Sequence, residues 1–153
     1  MITSGIAAWL STGATLYLPS WLSNLAGAHA ELGQLDDAWR CIGEAMSIIE
    51  TAKERWFEAE VNRNAGEISL KSSPEPDTTK AQAYFERALA VARQQQAKSW
   101  ELRTAISMAR LWRDQGRLDE ARELLAPVYG WFTEGFDTRD LKEARALLEE
   151  LAS

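Results

Sequence analysis

One cysteine, Cys41, and one histidine, His29, are all the sequence holds of either residue. A lone cysteine excludes an internal disulfide and fits a reducing compartment, so a cytoplasmic location is expected. One thiol and one imidazole cannot make up the four ligands of a zinc site. Nor is there a second histidine to serve as base or orienting partner in a catalytic set. Basic residues are the minority: 17 Lys and Arg stand against 23 Asp and Glu, a formal net charge of −6. Nucleic acid is therefore not an expected partner, because a basic face normally supplies most of that affinity. Long apolar runs are missing too. No stretch approaches the roughly 18 residues of a membrane span. The short apolar segment at residues 6–10 has no basic leader, since the first Lys or Arg is Arg40, so neither secretion nor membrane insertion is expected. With only four prolines and nine glycines in 153 residues, mostly at inferred helix ends, little interrupts helix formation, and the expected class is all-α.

What the chain has is 46% hydrophobic and 26% charged residues, enough for one domain with a real core. The clearest pattern is WELRTAISMARLWRDQGRLDEARELLAPVYGWF, residues 100–132. Leu102, Ala105, Ile106, Ala109 and Trp112 recur at three-and-four spacing and share one stripe of a helix. The opposite face carries Glu101, Arg103, Arg110, Arg113 and Asp114. Gly116 suits the left-handed residue that ends a helix, and Asp119 and Glu120 place negative charge in the first turn of the next. That second helix turns Leu118, Ala121, Leu124, Leu125 and Val128 inward.

Weaker copies lie upstream. One has Leu22, Leu25 and Ala26, a turn at Gly33, then Ala38, Ile42 and Ala45; the other has Ala65 and Gly66, then Ala81, Phe85 and Ala88. The small residues at helix crossings and the Ala-x3-Phe spacing resemble tetratricopeptide repeats, and the equivalent alanines Ala38, Ala81 and Ala121 stand 43 and 40 residues apart. The fold implied is a tetratricopeptide-like α-solenoid in a single domain, 1–153. Its expected parts are a remnant helix at 1–17, repeats at 18–51, 54–97 and 98–131, and a capping helix at 137–152. Helices are expected at 20–32, 36–51, 55–70, 79–96, 99–115, 118–130 and 138–151, with Asp77 or Thr78 capping the restart after the proline-bearing loop at 71–80. The third of these is expected to carry Trp56, Ala59, Asn62 and Ala65 on one side and Glu58, Arg63 and Glu67 on the other. A half repeat at the start exposes Ile6, Trp9 and Leu10, so a homodimer through that end is expected unless they fold back.

The run SMARLWRDQGRLDEARELLAPVYGWFTEGFDTRDLKEARALLEEL (107–151) resembles the C-terminal end of large bacterial signalling proteins. In those proteins a nucleotide cyclase or other effector domain and a P-loop ATPase module precede a tetratricopeptide-like array. The likeness extends more weakly through ERWFEAEVNRNAGEISL and AWLSTGATLYLP. It implies a regulatory or partner-binding array rather than the catalytic part. The sequence holds no G-x4-GK-[ST], so no nucleotide chemistry is carried over and no cofactor is expected.

Single residues add no enzyme. His29 and Cys41 fall on inferred inward positions and read as packed side chains. Asp36-Asp37 and Glu149-Glu150 are neighbours rather than facing pairs, which suits capping or surface roles. The seven tryptophans fill gaps between helices, with one or two available as anchors. The resemblance implies that the first helix of each repeat lines an inner surface. This register selects Ser20, Ser23, Gly27 and Glu31, then Glu60, Arg63, Glu67 and Lys71, then Arg103, Ile106, Arg110 and Arg113. The first third is small and uncharged, and the rest gathers arginines. Arg63, Glu67, Lys71, Arg103, Ile106, Arg110 and Arg113 are the candidate groove for an acidic peptide or anion, with Trp112 as a flanking apolar contact. The opposing reading is a solvated face neutralised by Glu60, Glu67, Glu101 and Asp114. Two functions are carried forward: a protein-interaction scaffold, and a small-ligand sensor whose array changes curvature or self-association.

Overall fold

The computed structural model describes residues 18–52, 55–71, 75–135 and 137–152. Seven helices follow one another: α1 (Leu18–Glu31), α2 (Leu35–Ala52), α3 (Glu58–Ser69), α4 (Thr78–Gln94), α5 (Lys98–Asp114), α6 (Leu118–Gly130) and α7 (Arg139–Ala152). No strand occurs among the described residues. The chain is an all-α helical-repeat array. The expected remnant helix at 1–17, with its dimer contact through Ile6, Trp9 and Leu10, lies outside the described residues, as do 72–74 of the loop. Among the described residues no helix is long and apolar enough to cross a membrane.

Three helix ends share one device. Gly33, Gln96 and Gly116 take φ of 77°, 55° and 79°. The next N–H in each case reaches back five residues, Gln34 to His29 O, Ala97 to Ala92 O and Arg117 to Trp112 O, each at 2.8 Å. This satisfies carbonyls that a helix end leaves orphaned. Between α3 and α4, Asp77 accepts from the Lys80 N–H at 3.0 Å and starts α4.

The hairpins α1–α2, α3–α4 and α5–α6 are the most extensively packed pairs. The first helices of successive hairpins also pack side by side, α1 on α3, α3 on α5, and α5 on α7, whereas no pair of successive second helices packs comparably. The array therefore bends toward the layer formed by α1, α3, α5 and α7. The order of polar contacts shows these four helices to be parallel. Ser23 and Glu31 meet Asn64 and Lys71, Glu60 and Arg63 meet Arg103 and Ser107, and Arg103 and Arg113 meet Asp140 and Glu150.

Two cores fill the array. One gathers Leu22, Ala26, Ala38, Ile42, Ala45, Ile49, Phe57, Val61, Ala65 and Ile68; the other gathers Ala81, Phe85, Leu89, Leu102, Ala105, Ala109, Ala121, Leu125, Leu141, Ala144 and Leu147. They meet where the fully buried Phe85 ring lies on Gly66, so closely that a Cβ there would sit 2.4 Å from a ring carbon. Gly66 thus marks the expected close crossing.

α3 departs from expectation at its start. It begins at Glu58 rather than 55, because Phe57 is buried edge-on against Trp100 at 5.2 Å and holds the chain in a turn with Trp56 outside the helix. Glu58 and Glu60, at the helix start, are buried rather than solvated. Leu118, expected inward on α6, is 40% exposed at the helix start.

Candidate functional site

α5 separates its two kinds of residue cleanly. Leu102, Ala105, Ile106 and Ala109 are buried in the core, which leaves Arg103, Arg110 and Arg113 along the layer of parallel helices. α7 does the same with opposite charge: Leu141, Ala144, Leu147 and Leu151 are buried, and Asp140, Glu143 and Glu150 lie toward α5. Between α3, α5 and the start of α7 the structure leaves a cavity of about 500 Å³. Its lining is Arg63, Arg103, Ile106, Ser107, Arg110, Thr138, Arg139, Asp140 and Glu143. A second cavity of about 300 Å³ shares Arg103, Thr138 and Asp140 and continues past Leu102, Phe132 and Leu141.

The guanidinium groups are held by a grid of carboxylates. Glu60, 4% exposed, takes both Nε and Nη2 of Arg63 at 3.0 and 2.6 Å and also accepts from Arg103 Nη1 at 3.2 Å. Asp140 Oδ2 accepts from Arg103 Nε and Nη2 at 3.2 and 3.1 Å. Glu143 is shared, one oxygen receiving Arg110 at 3.3 Å and the other Arg139 at 2.9 Å. Burial alone would lower the pKa of Arg103, but the charges of Glu60 and Asp140 outweigh it and hold the group above its ordinary value. The hydrogen bond from Arg139 keeps Glu143 below the usual carboxylate range; burial opposes this, and the Arg110 charge adds to it. Four guanidiniums and two carboxylates line the cavity, and Glu60 and Glu67 stand beside it against Arg63 and Arg103.

Of the residues named from sequence, Arg63, Arg103, Ile106 and Arg110 come together on this cavity. Glu67 stands 3.8 Å from Arg63 outside the lining. Lys71 is elsewhere on the layer, paired with Glu31 at 3.1 Å. Arg113 is bound by Glu150 at 3.0 Å and Asp114 at 3.1 Å. Trp112 does not line the cavity; Arg117 stacks over its ring at 4.6 Å, and its Nε1 donates to Gln82. Glu101 is a correction. It is buried on another side of α5, where Arg93 and Lys98 donate to it at 3.1 and 3.2 Å, so it neutralises none of the groove arginines. In the first third of the layer, Ser23 is fully buried and accepts from Asn64.

The residues missed are Ser107 and those around the start of α7: Thr138, Arg139, Asp140 and Glu143. A signal for the acids was present. The register that picks Arg103, Ile106, Arg110 and Arg113 from α5, moved on 37 residues to the next helix of the layer, picks Asp140, Glu143, Leu147 and Glu150 from α7. Treating α7 only as a cap hid it.

The other candidates lie apart from this cavity. His29 is half-buried at the end of α1 with Nδ1 2.6 Å from Gln34 Oε1, rather than packed inward as expected. Cys41 is buried, and burial pushes its thiol pKa up, with Glu44 and Asp37 adding to the effect. Among the described residues no group of three or more His, Cys, Asp or Glu is placed to hold a metal ion. Comparison with known families finds that a family model for the tetratricopeptide repeat matches residues 102–129, which span most of α5 and α6. No curated protein matches the chain.

Proposed function

We propose that the chain is a protein-interaction module whose groove between α3, α5 and α7 takes an acidic or carboxylate-terminated segment of a partner. Tetratricopeptide repeats generally mediate protein–protein interaction, and residues 102–129 carry that pattern. The observation that carries the site is the convergence of Arg63, Arg103, Arg110 and Arg139 on one cavity of an acidic protein. Guanidinium forks bind carboxylates through paired N–H donors. In the same reading the array is the regulatory repeat region of a bacterial signalling protein, cytoplasmic and without catalysis of its own, as the likeness of 107–151 suggests. The test is equilibrium binding of an acidic peptide pool by the intact chain and by Arg103→Glu/Arg110→Glu, with Arg40→Glu/Arg87→Glu, exposed on α2 and α4, as the charge-matched control. Binding lost in Arg103→Glu/Arg110→Glu alone supports the groove. Equal loss in both, or none in either, removes it.

A second reading, a small-ligand sensor, is favoured by one feature. The pairs Arg103–Asp140, Arg110–Glu143 and Arg113–Glu150 are ties between α5 and α7 made by the groove's own cations. An anion that competes for them loosens the last helix, and scattering from the protein with and without a polyanion reads the resulting change in dimensions.

A further inference from the structure

The groove is already occupied by the protein's own acids, and this sets what can displace them. Glu60 is buried and chelated by Arg63, so it stays. Asp140 and Glu143 are at the rim, with side chains 26% and 31% exposed, on a helix anchored separately by Leu141, Ala144 and Leu147. They can swing into water without α7 leaving. Arg110 and Arg139 each give Glu143 a single hydrogen bond, leaving most of each five-donor fork uncommitted to it. Ser107 Oγ accepts from Arg63 at 3.3 Å and keeps its own hydrogen to donate into the cavity it lines.

An incoming carboxylate that replaced Glu143 would recover only the bonds that Glu143 already makes, against a competitor tethered at high effective concentration. A phosphomonoester brings a charge of about −1.5 to −2 and three acceptor oxygens, enough to engage Arg103, Arg110 and Arg139 at once. Resting on the groove reading above, we infer that this site selects a phosphorylated serine or threonine of a partner segment over an acidic side chain, with Glu143 as the resident group it displaces. The cavity of about 500 Å³ exceeds a phosphoryl group, and the neighbouring one of about 300 Å³, which shares Arg103, Thr138 and Asp140 with it, adds Ser99, Phe132 and Glu134 beside it.

The experiment uses the intact chain and three decapeptide pools identical except for a central phosphoserine, glutamate or serine, with inorganic phosphate as a fourth probe. The phosphoserine pool is expected to bind about tenfold or more tighter than the glutamate pool, the worth of one added charge-assisted bond. Glu143→Gln should tighten both charged pools, the glutamate pool about threefold. Arg110→Gln/Arg139→Gln should abolish the preference and lower stability by no more than the partly exposed Glu143 pairs contribute, since the two side chains are 44% and 89% exposed. Equal binding of the phosphoserine and glutamate pools, still dependent on Arg110, overturns the selectivity and leaves the acidic-segment reading standing. No binding of either pool overturns both. Inorganic phosphate binding as tightly as the phosphoserine pool overturns the assignment to a segment.

Discussion

The two ends of the parallel-helix layer solve the same packing problem in different ways. Between α1 and α3 the polar contacts include short side chains, with Ser23 fully buried against Asn64, and the one ion pair among the described residues, Glu31–Lys71, is at the exposed end. From α3 to α7 the contacts are guanidinium to carboxylate, and a cavity of about 500 Å³ remains. Small residues let two helices close up and expel water. Long charged groups resist this, because stripping them of water costs several kcal/mol per ion unless every donor is met. The open end of the layer is thus a consequence of its charges.

The largest expected effect comes from cutting the join between these ends. Phe85→Ala removes a fully buried ring that lies on Gly66 of α3 and belongs to the second core. A loss of about 3–5 kcal/mol in urea unfolding is expected, with the two halves no longer melting together. A single transition with less than about 1 kcal/mol lost would show the ring is not the link. Gly66→Ala presses on the same ring from the other side. Overpacking costs about 1–3 kcal/mol, against up to about 1 gained in helix propensity, so the net change should be a loss.

Smaller effects separate the two kinds of ion pair. Glu143→Gln should cost no more than about 1 kcal/mol at neutral pH, as expected for a partly exposed pair. Because Arg139 and Arg110 depress the folded-state pKa of Glu143, its contribution is present above the unfolded value of about 4.3 and lost as pH falls through the folded one. Wild-type and variant stabilities should therefore differ by a constant above about pH 5 and converge as pH falls through the depressed folded-state pKa of Glu143. Glu31→Gln at the other end, where the side chain is 75% exposed, should change stability by an amount too small to resolve. A pH-dependent loss there equal to that of Glu143 would erase the distinction between the two ends. One small effect is a gain. Gln96 does with a side chain what Gly33 and Gly116 do without one, and Gln96→Gly should stabilise by about 0.5 kcal/mol, the relief of a left-handed residue less glycine's entropy cost.

Helix positions were legible because each depends on neighbours in sequence: three-and-four spacing, Gly33 and Gly116 as stops, Asp77 as a start. The exception is α3, whose start is set by Phe57 meeting Trp100, 43 residues away. The arginine register was readable on α5, but its partners on α7 were not, because a capping helix is expected to contribute apolar cover and a polar outside. Glu101 was misplaced for a related reason. A carboxylate among charged neighbours reads as exposed, and only the fold brings Arg93 of α4 and Lys98 close enough to keep it buried.

The claim that the open end of the layer is a binding surface is tested most directly by titrating the intact chain with acidic and neutral peptide pools at two salt concentrations. The acidic pool should bind more tightly and lose affinity as salt rises, while the neutral pool changes little. Equal affinity for the two pools, unchanged by salt, would contradict it.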